Sequence, residues 1–220
     1  MSLRFAGAVL LTLVSPLLTQ AASFSYTGNF RQDDNRQSFT FALNSPSTPT
    51  IVTLSYAGGT NAASQQISRG GFDPFVSLFD SNGLLLGVQN DGGCPAVGQD
   101  SVTGACWDAF LTSPLPAGNY TVVLTEADNS PNGPSLADGF SRDGQGNFTG
   151  PAYLGQAGSF LDANPNQRTS AWALDILNVD RAQIATVPEP ASAGLFAGGC
   201  CLLLFVRRRK VASAARSSRS

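Results

Sequence analysis

Apolar and polar residues alternate with a period of two in several short segments in the middle of the chain. Every second position is apolar in segments 39–43, 52–56, 120–124 and 172–176. Aromatic and branched side chains fill most of these positions, which is typical of strands that bury one face. No segment in this part of the chain has the longer apolar period of a convincing amphipathic helix. The pattern therefore predicts an all-β fold.

Turn-forming residues separate the alternating segments. Asn82-Gly83 lies between two apolar runs, and this pair readily adopts the positive φ angles of a tight hairpin turn. Further Gly-containing turns recur at 58–59, 91–93, 117–119, 138–139 and 143–144. Many short strands with frequent turns predict a jelly-roll-like β-sandwich over residues 22–180, followed by a short linker at 181–187.

The two ends of the chain follow a different pattern. Arg4 precedes an apolar run that closes with small residues near Ala21, which predicts a signal peptide over residues 1–21. A buried helix or a membrane anchor is the alternative. Residues 191–206 carry no charge and predict one short transmembrane helix. At about 1.5 Å per residue it would measure roughly 24 Å, against about 30 Å of hydrocarbon core, so the span is marginal.

Rigid and charged residues flank this apolar stretch. Prolines on both sides of Glu189 prevent the helix from extending backward and keep the tripeptide extended. The basic residues on the other side act as a stop-transfer sequence and place the C-terminus in the cytoplasm. The tripeptide is Pro188, Glu189 and Pro190, and the basic block is Arg207, Arg208, Arg209 and Lys210. Residues 211–220 are expected to form a disordered basic tail.

Segment 188–210 resembles the PEP-CTERM sorting signal of Gram-negative bacteria, which has the same order of motif, apolar helix and basic end. The resemblance implies export through the inner membrane, with only a transient stay in it. It also implies processing by an exosortase-type membrane protease or transpeptidase. Proteins with this signal are usually associated with exopolysaccharide and with cell-surface or biofilm material.

Charge is distributed unevenly along the chain. The whole chain has a net charge of −2, but residues 22–187 contain six Arg and no Lys against thirteen Asp and one Glu, a balance of −8. An acidic body argues against nucleic acid as a partner, because basic residues are needed to offset phosphate repulsion. It suits solubility and the binding of divalent cations.

The complete absence of His excludes several kinds of catalysis. The chain contains no His, so Ser-His-Asp and Cys-His nucleophiles and His-ligated zinc are ruled out. Two carboxylates across a cleft could still hydrolyse a glycoside, but nothing in the linear sequence pairs any two of them. The protein is therefore expected not to be an enzyme, and the hydrolase is kept as a third hypothesis.

Cys94 and Cys106 are the two cysteines between residues 22 and 187. A protein that leaves the cytoplasm enters an oxidising compartment, where such a pair forms a disulfide. Two free thiols are the alternative.

Acidic and amide side chains in Gly-containing loops are candidate Ca²⁺ ligands, because Ca²⁺ takes oxygen ligands on flexible loops. The candidates are Asp138, Asp143 and Asn147 in one loop, together with Asp91. Their spacing is not that of an EF-hand. The alternative is that Asp and Asn occupy these positions because they make turns.

Segments 39–41, 52–54, 73–83 and 115–122 follow the order seen in bacterial pre-peptidase C-terminal domains, which the body resembles. A closer resemblance is to the bodies of one type of PEP-CTERM protein, on segments 70–74, 90–93, 138–140, 147–149 and 172–176. These resemblances imply a jelly-roll-like β-sandwich, and some pre-peptidase C-terminal domains bind Ca²⁺ or extracellular polymers. They name no catalytic residue.

Two functions remain after these observations. The first is an exported, non-enzymatic protein of the cell surface or of the exopolysaccharide or biofilm matrix. The alternative is a Ca²⁺-dependent module that binds polysaccharide or protein fibres.

Overall fold

The structure, a computed structural model, describes residues 22–185. The strands of this part of the chain are β1 (Ala22–Asn29), β2 (Gln37–Leu43), β3 (Thr50–Thr53), β4 (Gly59–Thr60), β5 (Gln66–Ile67), β6 (Pro74–Phe79), β7 (Leu85–Gln89), β8 (Phe110–Thr112), β9 (Gly118–Glu126), β10 (Ala171–Val179) and β11 (Arg181–Ile184). A 3-10 turn at Leu136–Asp138 and the short helix α1 (Thr149–Leu154) lie in the connections. The predicted all-β class is confirmed.

The long strands form two antiparallel sheets. The smaller sheet has the order β1-β10-β3-β8, and the larger sheet has the order β11-β2-β9-β6-β7. β4 and β5 pair with each other in a separate two-stranded ribbon. Strands from both sheets contribute to one hydrophobic core, so the architecture is that of a β-sandwich.

The predicted inward faces of β2, β9 and β10 are confirmed. Phe39 in β2 is fully buried, and its ring meets the Trp172 indole of the opposite sheet edge-on at 5.8 Å between centroids. Buried aromatic rings contribute large apolar areas and specific edge-to-face contacts. The alternating residues of these strands that join the core are Phe39, Phe41, Leu43, Tyr120, Val122, Leu124, Trp172, Leu174 and Ile176.

The expected inward face of β3 is wrong by one residue. Ile51 and Thr53 are buried, whereas Val52 is only half-buried. Thr53 has a polar reason to face inward, because its hydroxyl donates to the Asp108 carboxylate at 2.8 Å and accepts from the Ala109 N–H at 2.8 Å. A shift of one residue moves every side chain of a strand to the other face.

Strand pairing continues beyond residue 180, the predicted end of the β-sandwich domain. Arg181–Ile184 lies in the segment predicted as a linker, yet it forms β11 at the edge of the larger sheet and pairs with β2. No helix within residues 22–185 is long and apolar enough to cross a membrane. The predicted signal peptide at 1–21 and the predicted transmembrane helix at 191–206 lie outside the described residues.

Candidate functional site at one edge of the larger sheet

The three predicted Ca²⁺ ligands in the 138–147 loop make turn and loop contacts. The Asp138 carboxylate accepts from the backbone N–H three residues before it at 2.9 Å. The Asp143 carboxylate accepts from the backbone N–H of Phe140 at 2.9 Å and pairs with Arg36 at 3.3 Å. The Asn147 side-chain oxygen accepts from a backbone N–H in the loop after β1 at 3.3 Å. These contacts are the ones that the turn-forming alternative predicts.

In the structure each of the three side chains thus stabilises a turn or a contact between loops. Across residues 22–185 the structure shows no group of three or more acidic or Cys side chains arranged to hold a metal ion. The fourth candidate, Asp91, is exposed and lies well apart in the chain, directly after β7 and the following Asn90.

Three neighbouring strands bring other acidic residues next to Asp91. β6 lies between β9 and β7, and both pairings are antiparallel. The start of β6 is therefore beside the end of β9, where Glu126 faces Pro74, and beside the end of β7. Asp73 directly precedes β6, and its backbone carbonyl accepts from the Ala127 N–H at 2.9 Å. We call Asp73, Asp91 and Glu126 the acidic edge.

Two carboxylates of the acidic edge are buried without full hydrogen bonding. Asp73 is 5% exposed and Glu126 is 0% exposed. Within the described residues, Asp73 Oδ1 and Glu126 Oε1 have no hydrogen-bond partner. Glu126 Oε2 accepts only a long bond, from the Asp128 N–H at 3.3 Å. An unsatisfied buried polar group costs about 1–3 kcal/mol, and more when it is charged.

Burial and mutual repulsion both disfavour ionisation of this pair. Burial, reinforced by the negative charge of Asp91, raises the pKa of Asp73 to about 8. Burial, reinforced by the negative charge of Asp73, raises the pKa of Glu126 well above its ordinary value. Removal from water and a nearby like charge are the two causes that push a carboxyl pKa upward. The pair therefore carries charge at neutral pH only at a considerable cost.

The arginine whose charge acts on Asp73 is engaged in a different set of contacts. Arg168 is buried, and its Nε donates to the Gly71 carbonyl at 3.0 Å while Nη2 donates to the Tyr56 carbonyl at 2.6 Å. Nη2 also lies 3.5 Å from Asp100, which is fully buried and accepts two bonds from Arg69 at 2.8 and 2.9 Å. We call Arg69, Arg168, Asp100 and Tyr56 the arginine network. Its ions compensate each other, unlike those of the acidic edge.

The predicted disulfide is confirmed and supports this network. Cys94 and Cys106 are bonded, with their Cα atoms 5.5 Å apart. The loop that they close carries Asp100, whose carboxylate also accepts from the Val102 and Thr103 backbone N–H groups at 3.0 and 2.7 Å. The crosslink therefore restrains the loop that carries Asp100, the anion of the arginine network.

An open groove lies beside β1 and β10. Its volume is about 440 Å³, and polar and apolar side chains share its lining. Trp172 forms part of the wall, but the side chain is only 6% exposed, and its Nε1 has no partner within the described residues. Trp172 thus belongs to the core, as the alternation of segment 172–176 predicts. The lining residues include Thr27, Asn29, Gln65, Gln66 and Ser68.

Sequence reasoning missed Asp73 and Glu126 as a pair. One signal was present, since Glu126 continues the alternation of Tyr120, Val122 and Leu124 and so falls on the inward face of β9. Nothing along the chain relates Glu126 to Asp73, because the two residues are 53 positions apart in the sequence. Only the pairing of β6 with β9 brings them close.

The sorting-motif residues and the basic block, at 188–190 and 207–210, lie outside the described residues. A comparison of the chain with models of known protein families finds no match, and a comparison with curated proteins finds none either.

Proposed function

We propose that the protein is an exported, non-enzymatic component of the cell surface or of an exopolysaccharide or biofilm matrix. In this proposal an exosortase-type enzyme removes the C-terminal signal at Pro188-Glu189-Pro190 in the inner membrane. The observation that carries the proposal is the Cys94–Cys106 disulfide. A crosslink that joins two loop ends and stabilises a buried ion network suits a protein that works outside the cytoplasm.

We also propose that the body is a jelly roll. Without β4, β5 and the edge strand β11, the eight remaining strands have the orders β1-β10-β3-β8 and β2-β9-β6-β7. Most successive strands then alternate between the two sheets, which agrees with the two Greek keys of a jelly roll. Such a body is a rigid scaffold whose loops are free to vary.

A non-enzymatic role agrees with the chemistry of the body. The chain has no His. The neighbouring carboxylates of Asp73 and Glu126 are at least 95% buried, so a polysaccharide chain could not reach them. A glycosidase needs both carboxyl groups in contact with the scissile bond. The pair therefore lends no support to the hydrolase hypothesis.

The test of the export route is the fate of a Glu189→Ala variant in the native host. Mass spectrometry should find the wild-type protein without its C-terminal segment, at the cell surface or outside the cell. The variant should keep the segment and stay in the inner membrane. Ser192→Ala is the matched control and should behave like the wild type. Unchanged processing and location of the Glu189→Ala variant would overturn the proposal.

The alternative function is a Ca²⁺-dependent module that binds polysaccharide or protein fibres. Two observations favour it, namely the charge of −8 over residues 22–187 and the open groove beside β1 and β10, whose lining combines hydroxyl and amide side chains with the edge of Trp172. A glycan array with and without chelator tests this function. Chelator-sensitive binding would favour the module, and an array without signal would favour the structural role.

A further inference from the structure

The open groove beside β1 and β10 lies where the β4–β5 ribbon meets the smaller sheet. Residues 27–29 of β1, residues 65–68 around β5, and residues 171 and 172 of β10 contribute to its lining. Its volume of about 440 Å³ falls within the range of about 300–1,000 Å³ that is typical of ligand pockets in proteins. The fold therefore provides a ligand-sized space at this place.

Hydrogen bonds hold the ribbon against the smaller sheet at its tip and at its base. At the tip, the Ala62 N–H donates to the Asp175 carboxylate of β10 at 2.8 Å, and the Ala63 N–H donates to the Ser25 hydroxyl of β1 at 3.1 Å. At the base, the Gly71 N–H donates to a backbone carbonyl just after β3 at 2.8 Å. The ribbon side of the groove is therefore preorganised, which lowers the entropic cost of binding.

Amide side chains of the groove are oriented by the protein and keep groups free for a ligand. Asn61 is 4% exposed, and its Oδ1 accepts from the Gln65 N–H at 2.8 Å while its Nδ2 donates to Gln65 Oε1 at 2.9 Å. Gln66 Nε2 donates to the Thr60 hydroxyl at 2.7 Å, and Asn29 Oδ1 accepts from the hydroxyl of the residue before β10 at 3.4 Å. Within residues 22–185, the amide nitrogens of Gln65 and Asn29 and the amide oxygen of Gln66 thus stay available.

The described residues that line the groove carry no charge, although the body is strongly acidic. Hydroxyl and amide side chains share the lining with the apolar Ile67 and Trp172; the polar ones include Thr27, Asn29, Gln65, Gln66 and Ser68. Arg69 follows directly but donates to Asp100 at 2.8 and 2.9 Å. Hydroxyls and primary amides both donate and accept hydrogen bonds, which suits a ligand rich in hydroxyl groups. A charged ligand would find no compensating charge in this lining.

We propose that the groove binds a segment of a neutral polysaccharide and that it does so without a metal ion. Sugar hydroxyls would exchange hydrogen bonds with the side chains of Thr27, Asn29 and Gln65, and the apolar surface of a sugar ring would pack on Ile67. A peptide strand would instead add to the open edge of β1 through main-chain hydrogen bonds. The inference rests on the alternative function in taking a polysaccharide as the partner, and it departs from that function in requiring no Ca²⁺.

The first test is an array of neutral and uronate-containing oligosaccharides, probed with the purified full-length protein in CaCl₂ and in EDTA. We expect binding to at least one neutral glycan, with equal signal in both buffers. A signal that requires Ca²⁺ would overturn the inference and leave the alternative function standing. A signal from uronate-containing glycans alone would also overturn the inference, and an array without any signal would overturn both.

Variants locate the bound glycan. Gln65→Ala and Thr27→Ala should each weaken binding of the neutral glycan about twofold to tenfold, because each removes one hydrogen bond. Both positions are exposed, so the Tm should change little. Gln183→Ala is the matched control, since it removes an exposed amide from β11 on the other sheet and should bind like the wild type. Unchanged binding in both groove variants, or an equal loss in Gln183→Ala, would overturn the location.

Hydrogen exchange of the wild-type protein tests the location without any variant. The bound glycan should slow exchange in peptides that contain residues 27–29 and 60–68 and leave residues 181–184 unchanged. Slowing that spares both groove segments would overturn the inference. The export route is tested separately by C-terminal processing, so either proposal can fail alone.

Discussion

The guanidinium carbon of Arg168 lies over the ring of Tyr56, 3.6 Å from the ring centroid, and Nη2 donates to the backbone carbonyl of the same tyrosine at 2.6 Å. The Tyr56 hydroxyl in turn donates to the Asp162 carboxylate at 2.7 Å. This stack joins the loop after β3 to the segment that leads into β10. Because Arg168 is 5% exposed, its contacts with Tyr56 act in a desolvated setting, where cation–π contacts are strongest.

Loss of the Arg168 charge should destabilise the protein strongly. Arg168→Met keeps most of the apolar stem, but the Gly71 carbonyl loses the Arg168 donor and the Tyr56 carbonyl keeps only the Gly70 N–H. Breaking a buried ion pair by removing one partner typically costs about 3–5 kcal/mol. Urea unfolding measures the change in the free energy of unfolding. Arg181→Met in β11 removes an exposed arginine and should cost less than about 0.5 kcal/mol. Similar losses for both variants would contradict the role of the stack.

The arginine network should contribute to the free energy of unfolding, and this contribution should be lost in acid. Burial by itself raises the pKa of Asp100, but the hydrogen bonds from Arg69 and from the Thr103 and Val102 backbone outweigh burial and bring the pKa below its ordinary value of 3.8. The folded state therefore binds fewer protons than the unfolded state, and the stabilisation is present above about pH 4 and declines as the pH falls further.

An Asp100→Asn variant isolates the contribution of the Asp100 charge to stability. It should be less stable than the wild type by about 3 kcal/mol at pH 7, and the difference should narrow as the pH falls below 3.8. Urea unfolding at pH 7 and at pH 3 measures both values. A difference that is the same at the two pH values would show that the loss comes from hydrogen bonding or packing and not from the charge of Asp100.

Removal of the disulfide should weaken the same loop. In the chain-entropy model a crosslink between residues 12 apart stabilises by about 3 kcal/mol. The Cys94→Ala/Cys106→Ala double variant should lose that amount in urea unfolding, and the Val102 and Thr103 amides, which donate to Asp100, should exchange faster. A reducing agent should weaken the wild type and leave the double variant unchanged. Equal sensitivity of both proteins to the reducing agent would contradict this prediction.

Gly28 in β1 should not tolerate a larger residue. A Cβ atom at this position would overlap the Trp172 indole, whose ring is fixed in the core against Phe39. Overpacking of this kind typically costs about 1–3 kcal/mol, so Gly28→Ala should lower the midpoint of urea unfolding. Gly87→Ala in β7 is the matched control, since its Cβ would lie at an ordinary 3.7 Å from Leu111. Equal effects at the two positions would contradict the predicted overlap.

Much of the fold could be predicted from local pattern. The alternation in β2, β9 and β10 identifies their buried faces because each strand packs one face on a single core. The pairing of Cys94 with Cys106 follows from counting, since they are the two cysteines between residues 22 and 187. β3 was misjudged by one residue because Thr53 faces inward to satisfy Asp108, and hydrophobicity carries no information about that hydrogen bond.

The candidate site was beyond prediction from the sequence. Asp and Asn serve equally well in turns and around calcium, so Asp138, Asp143 and Asn147 could not be told from turn residues before their backbone contacts were known.

The sequence by itself determined the all-β class, most inward faces, the disulfide and the acidity of the body, because each of these depends on residue type and short-range spacing. Only the tertiary structure decided which acids are compensated. Asp100 lies against Arg69 and Arg168. The negative charge of Asp73, by contrast, acts on Glu126. The tertiary structure decides this because strand pairing joins positions that are distant along the chain, and burial removes the water that would otherwise screen their charges.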